Sequence, residues 1–157
     1  MKLATSRIVR LLSAVGILLA TSVRAEDKSF DAAVDNLLIA AQQICPVSDE
    51  ALDSMGTPVK TTTGEQTIFL CCKECVGKPI SKENWQTVLA NLREAQGECP
   101  VLHKPLPKDA AAIVVNHRLI FVCCKMCISK VKADPDKYIA AVNDQMKKNL
   151  DKSKRQG

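Results

Sequence analysis

Cys45-Pro46-Val47 … Phe69-Leu70-Cys71-Cys72-Lys73-Glu74-Cys75 and Cys99-Pro100-Val101 … Phe121-Val122-Cys123-Cys124-Lys125-Met126-Cys127 are two copies of one pattern. All 8 cysteines of the 157-residue chain fall in them, four in each. The copies match at an offset of 54 around Cys45 and Cys99 and of 52 around Cys71 and Cys123, so the second loop is two residues shorter. Ala41-Gln42 precedes the first copy as Ala95-Gln96 precedes the second. The pattern is too long to be a loop motif and too regular to be chance. It marks a supersecondary unit used twice, and two copies make a tandem pair rather than an extended array.

Working outward, Phe30, Val34, Leu37, Leu38 and Ala41 recur at helical spacing and predict an amphipathic helix over 30–43. Cys45-Pro46 ends it, because the residue before a proline is pushed out of helical geometry. Residues 48–57 read as irregular. From Pro58 to Leu70, β-branched residues flank Gly64, which predicts a hairpin turning there. Ser81 is the expected N-cap of a helix whose inward stripe is Trp85, Val88, Leu89 and Leu92. A second hairpin is expected over 112–122 with its turn at Asn116-His117. Asp134-Pro135 then opens a last helix carrying Tyr138, Ile139, Val142 and Met146. The expected fold is α+β: a small tandem repeat of hairpin plus helix, in which the middle helix belongs to both units.

The N-terminal residues read differently. Lys2, Arg7 and Arg10 precede the apolar run Leu11–Ala20, and Val23-Arg24-Ala25 places small residues at a cleavage position. This is the pattern of a secretory signal peptide over 1–25. Four of the 22 basic residues and none of the 17 acidic ones lie in it, leaving a net charge of +1 beyond it. The basic balance is therefore targeting signal, with no nucleic-acid footprint. The expected organisation is a first cysteine-rich repeat over 26–80, a second over 81–149 and a short basic tail over 150–157. The signal implies a periplasmic or secreted location, without stable membrane insertion after cleavage. No protein partner is legible.

Aromatic residues make up only 3% of the chain, so its core is thin and a staple of metal or disulfide is expected. A thiolate quartet suits a thiophilic ion such as zinc, which closes a tetrahedron of soft ligands. The candidate ligands are Cys45, Cys71, Cys72 and Cys75 in one repeat and Cys99, Cys123, Cys124 and Cys127 in the other. Adjacent cysteines on a strand point to opposite faces. Cys71 and Cys75 are therefore preferred over Cys72, and Cys123 and Cys127 over Cys124, so a three-cysteine site stays open beside a full quartet. His103 and His117 read as surface turn residues. Met126, opposite Glu74 in the first copy, could add a thioether that favours Cu(I), though packing or exposure is the plainer reading.

The stretch Cys99 … Phe121-Val122-Cys123-x-x-x-Cys127, followed by Lys132-Ala133-Asp134-Pro135-Asp136-Lys137-Tyr138-Ile139, resembles the YHS/TRASH group of small heavy-metal-binding modules. The resemblance covers 99–143 well. It is weaker over 45–92, where Trp85 stands for the tyrosine and Ala-Asp-Pro is missing. The naming Tyr-His-Ser tripeptide is absent, and Cys72 and Cys124 are extra. The resemblance implies treble-clef-like modules holding zinc or copper, beside metal transport or sensing. We read the chain as a binding protein with no catalytic residues. Two alternatives stay open. One is a disulfide-stapled interaction domain. The other is thiol–disulfide exchange at Cys72-x-x-Cys75 or Cys124-x-x-Cys127, which would need a helix starting at the first cysteine.

Overall fold

The computed structural model describes residues 24–156, with side chains from Ala32 onward. Apart from Arg24 and Ala25, the expected signal peptide lies outside the described residues, as does the Phe30 side chain. The elements in chain order are α1 (Arg24–Gln42), β1 (Val59–Thr63), β2 (Gln66–Leu70), a 3-10 turn at Lys73–Cys75, α2 (Lys82–Gln96), β3 (Ala111–Val115), β4 (Arg118–Val122), α3 (Lys125–Ala133) and α4 (Pro135–Lys154). The architecture is α+β and repeated. Each unit has a leading helix, a two-stranded antiparallel hairpin and a closing helix, and α2 closes the first unit and leads the second. Among the described residues, no helix is long and apolar enough to cross a membrane.

Both hairpins form where β-branched runs flank a turn. Val59 pairs with Leu70 and Thr63 with Gln66, leaving Gly64-Glu65 as a two-residue turn. Ala111 pairs with Val122 and Val115 with Arg118, leaving Asn116-His117. Asn116 and His117 both have positive φ, 46° and 61°, as a primed hairpin turn requires. The tips touch. Thr67 donates its N–H to the His117 carbonyl at 2.9 Å, and His117 Nδ1 lies 3.0 Å from the Glu65 carbonyl. With that carbonyl as its partner, Nδ1 is the protonated nitrogen.

The repeat extends into the hydrogen bonds. Gln43 and Gly97, 54 residues apart, both end their helices with positive φ, 68° and 73°. Leu52 N–H then donates to the Gln43 carbonyl as Leu106 N–H does to that of Gly97, both at 2.9 Å. A later helix, α2 for the end of α1 and α4 for the end of α2, covers each exposed helix end with an asparagine. Asn91 Nδ2 donates to the Gln42 carbonyl at 3.1 Å, and Asn149 Nδ2 to those of Ala95 and Gln96 at 3.0 and 3.2 Å. A Cβ at Gly97 would stand 2.7 Å from Asn149 Nδ2, so this close cap and the positive φ together require glycine. The core runs through both units. Val88 and Leu92 of α2, Val142 and Met146 of α4, and Ile68 and Ile120 of the hairpins are all buried.

Three local expectations need adjusting. The leading helix starts earlier than expected, at Arg24, and ends at Gln42 because Gln43 turns left-handed, ahead of the proline. The chain after Cys124 is helical, and nothing in the 125–133 pattern had suggested α3. Asp134 occupies the N-cap position of α4 without a side-chain cap bond, and Pro135 at the first helical position carries the start. Within the basic tail α4 runs on to Lys154, with Leu150 packed against the core. Ser81 does cap α2, accepting from Asn84 N–H at 3.3 Å.

Candidate metal centre

Each cysteine cluster is assembled by three pieces of chain. The first is the turn after the leading helix. Cys45 N–H donates to the Glu50 carbonyl and Asp49 N–H to the Cys45 carbonyl, with Cys99–Lys104 and His103–Cys99 as counterparts. Asp49 and His103 hold the matching left-handed positions, φ 65° and 52°. His103 is therefore a turn residue, exposed to solvent. The second piece is the end of the hairpin's second strand, which delivers Cys71 or Cys123. The third is the tight turn or helix start that carries Cys75 or Cys127.

A buried glutamine welds the first piece to the second. Gln42 accepts from Phe69 N–H at 3.0 Å and donates to the Phe69 carbonyl at 2.7 Å. Gln96 does the same at Phe121, at 2.9 and 2.7 Å. Each amide also donates at 2.9 Å to a carbonyl two residues on, Ile44 or Glu98. The side-chain amide acts as a one-residue strand partner two residues before the first cysteine of the tight group. The repeated Ala-Gln before each Cys-Pro-Val was the available signal for this role, and reading it as mere repeat hid the function.

The sulfurs of Cys45, Cys71 and Cys75 all lie within 4.8 Å of one another, and so do those of Cys99, Cys123 and Cys127. The second cysteine of each adjacent pair stands alongside. Cys72 Sγ is 3.8 Å from Cys71 and 3.7 Å from Cys75, which are themselves 3.7 Å apart. These three sulfurs form a nearly equilateral triangle. Zn–S bonds of about 2.3 Å place tetrahedral sulfurs about 3.8 Å apart, so the triangle has the dimensions of one face of such a site. The second cluster is less even, with Cys124 Sγ 3.4 Å and Cys123 Sγ 4.0 Å from Cys127. All eight cysteines are free. Their separations are well beyond the S–S bond of about 2.05 Å. Both clusters could hold a metal ion. Adjacent cysteines can approach one point because β2 ends at Leu70 and β4 at Val122, before the strand alternation would separate them.

The electrostatics sort the thiols. Burial opposes ionisation of Cys45, but the N–H of Cys71, the Ser48 hydroxyl and the N–H groups of Ser48 and Val47 bring its thiol down to about 7. Cys99 is likewise lowered against its burial, by the N–H groups of Cys123, Leu102 and Val101. Leu102 occupies the place of Ser48, so the second cluster lacks the hydroxyl. Burial pushes Cys71 and Cys123 up, and with their sulfur neighbours it takes Cys75 to about 12 and raises Cys127 as well. Cys124 is lowered chiefly by the Cys127 thiol and N–H. Each cluster thus pairs a knuckle cysteine that ionises more readily than a free thiol with buried thiols, Cys71 and Cys75 or Cys123 and Cys127, that resist ionisation, and a bound cation would displace their protons.

The remaining candidates lie apart from the clusters' interior. Met126 is 78% exposed, which places its thioether toward solvent. His117 sits at the hairpin tip, as expected. Compared with family models, curated proteins and solved structures, the chain has no match in any of the three.

Proposed function

We propose that this chain is an exported metal-binding protein that holds one thiophilic ion, zinc or copper, in each repeat and serves heavy-metal handling. The observation that carries the reading is the group of Cys45, Cys71 and Cys75 sulfurs within 4.8 Å of one another, with Cys72 3.7–3.8 Å from the last two, in a unit built twice. Three thiols mutually at ligand spacing in each repeat, with a fourth beside them, suit a soft or borderline cation. The YHS/TRASH resemblance of 99–143 supports the same reading, and the pattern of residues 1–25 supports export.

The test is metal content and thiol count on protein purified from its export compartment. The expected result is close to two ions per chain, with thiols that titrate only after denaturation and chelation. Cys45→Ser should remove one ion and leave the other. Metal-free protein with no free thiols would sink the proposal in favour of disulfide staples.

A second reading rests on one feature. Cys124 is the N-cap of α3, and its sulfur lies 3.4 Å from Cys127 on that helix. A lowered thiol at a helix start, paired across Cys-x-x-Cys, is the arrangement of thiol–disulfide exchange. The first repeat has only a 3-10 turn there. Exchange chemistry would therefore be confined to Cys124 and Cys127, and a dithiol-dependent reductase assay that Cys124→Ser leaves unchanged would discard it.

A further inference from the structure

A cleft of about 620 Å³ lies away from both cysteine clusters, between the hairpins and helices α1 and α4. Its apolar wall is Val34, Leu38 and Ile139, and its polar end carries Arg118 and Asn143. Arg118 is the first residue of β4 and is only 8% exposed. The matching residue of the first repeat is Gln66, so this cation belongs to one unit alone.

A buried guanidinium is costly unless a carboxylate compensates it. Among the described residues, the Arg118 guanidinium donates one hydrogen bond, from Nη2 to Asn143 Oδ1 at 2.7 Å, and its Nε has no partner. The one ion pair among the described residues is Lys60 with Asp35, at 2.8 Å. The two acids on the cleft wall are thus engaged elsewhere, Asp35 by Lys60 and Asp136 by the Asn116 amide at 2.9 Å. Asp35 acts on Arg118 only through its field, and burial still holds the guanidinium down to about 10.

We infer that this cleft is a binding site for a small organic carboxylate with an apolar body, whose carboxylate pairs with Arg118 while its body lies on Val34, Leu38 and Ile139. A planar guanidinium fixed by an amide is suited to bidentate carboxylate recognition. The apolar wall disfavours a fully hydrated inorganic anion, and Arg118 repels a cationic ligand. The site is independent of the metal reading.

The experiment titrates hexanoate into the chain as purified, by calorimetry, with inorganic phosphate and hexylamine as comparisons. Saturable binding of one hexanoate per chain is expected, weakened at least tenfold in Arg118→Met and partly retained in Arg118→Lys. Ala140 lies exposed on the cleft wall, so Ala140→Trp should block binding without entering the core. That variant decides the matter if Arg118→Met does not fold. No hexanoate binding, binding unchanged in Ala140→Trp, or a preference for phosphate or hexylamine would each overturn the inference.

Discussion

Replacing Gln96 by alanine should show how tightly the fold and the second cluster are tied. The side chain is fully buried and makes three hydrogen bonds, two to Phe121 and one to the Glu98 carbonyl. At a net value of about 1 kcal/mol each, their loss costs about 3 kcal/mol. The Phe121 N–H is left without a partner in a buried setting, which adds about 1–3 kcal/mol unless water enters. A loss of about 4–6 kcal/mol is large against a typical domain stability of about 5–15 kcal/mol. Because Gln96 locks the Cys99 turn to the strand that delivers Cys123, the damage should also weaken the proposed metal binding at the second cluster. A ligand at about 1,000 times its dissociation constant restores roughly 4 kcal/mol, so saturating zinc should recover much of the stability. Urea denaturation with and without zinc measures both effects, and native mass spectrometry counts the ions. A loss under about 1 kcal/mol, or weakened binding at the Cys45 cluster instead, would refute the role given to the glutamine.

Three further outcomes are expected. For the metal-free protein, the raised thiols of Cys71, Cys75, Cys123 and Cys127 are protonated in the fold and contribute fully below the unfolded value of about 8.5. That contribution is lost as pH rises toward their folded values, so the Tm should fall between about pH 9 and 11, while metal-loaded protein should lose stability on the acid side. Ser48→Ala should raise the midpoint at which the Cys45 thiolate forms, seen as a shift in thiolate absorbance, and leave the Cys99 cluster unchanged. Gly97→Ala should destabilise by about 1–3 kcal/mol through its positive φ and the Asn149 contact, whereas Gln43→Gly should stabilise by about 1 kcal/mol, both read by chemical denaturation.

The cysteines, the repeat offset and both hairpin turns were legible because each is written in local residue types. Gly64 and Asn116-His117 announce their turns, and Ser81 its cap. Helix α3 was not legible. Lys125-Met126-Cys127-Ile128 carries no N-cap signal, and the corresponding residues of the first repeat, Lys73-Glu74-Cys75, stop after a single 3-10 turn before Gly77. The two repeats diverge just downstream, with Val76-Gly77-Lys78-Pro79 in one and Ile128-Ser129-Lys130-Val131 in the other. Glycine and proline break the first helix, and nothing breaks the second. The roles of Gln42, Gln96 and Arg118 were hidden for another reason. A polar side chain inside a helix or at a strand start usually faces solvent, and only the tertiary fold shows that these three are enclosed.

Sharing α2 between the units has a consequence for how such a chain could be divided or lengthened. A cut anywhere within Lys82–Gln96 robs both halves, since the same helix supplies the last wall of one and the first wall of the other. Neither half is a detachable module in the sense of a bead on a string. Growth, by contrast, needs a hairpin and its closing helices laid against a helix already in place, as β3, β4, α3 and α4 follow on from α2.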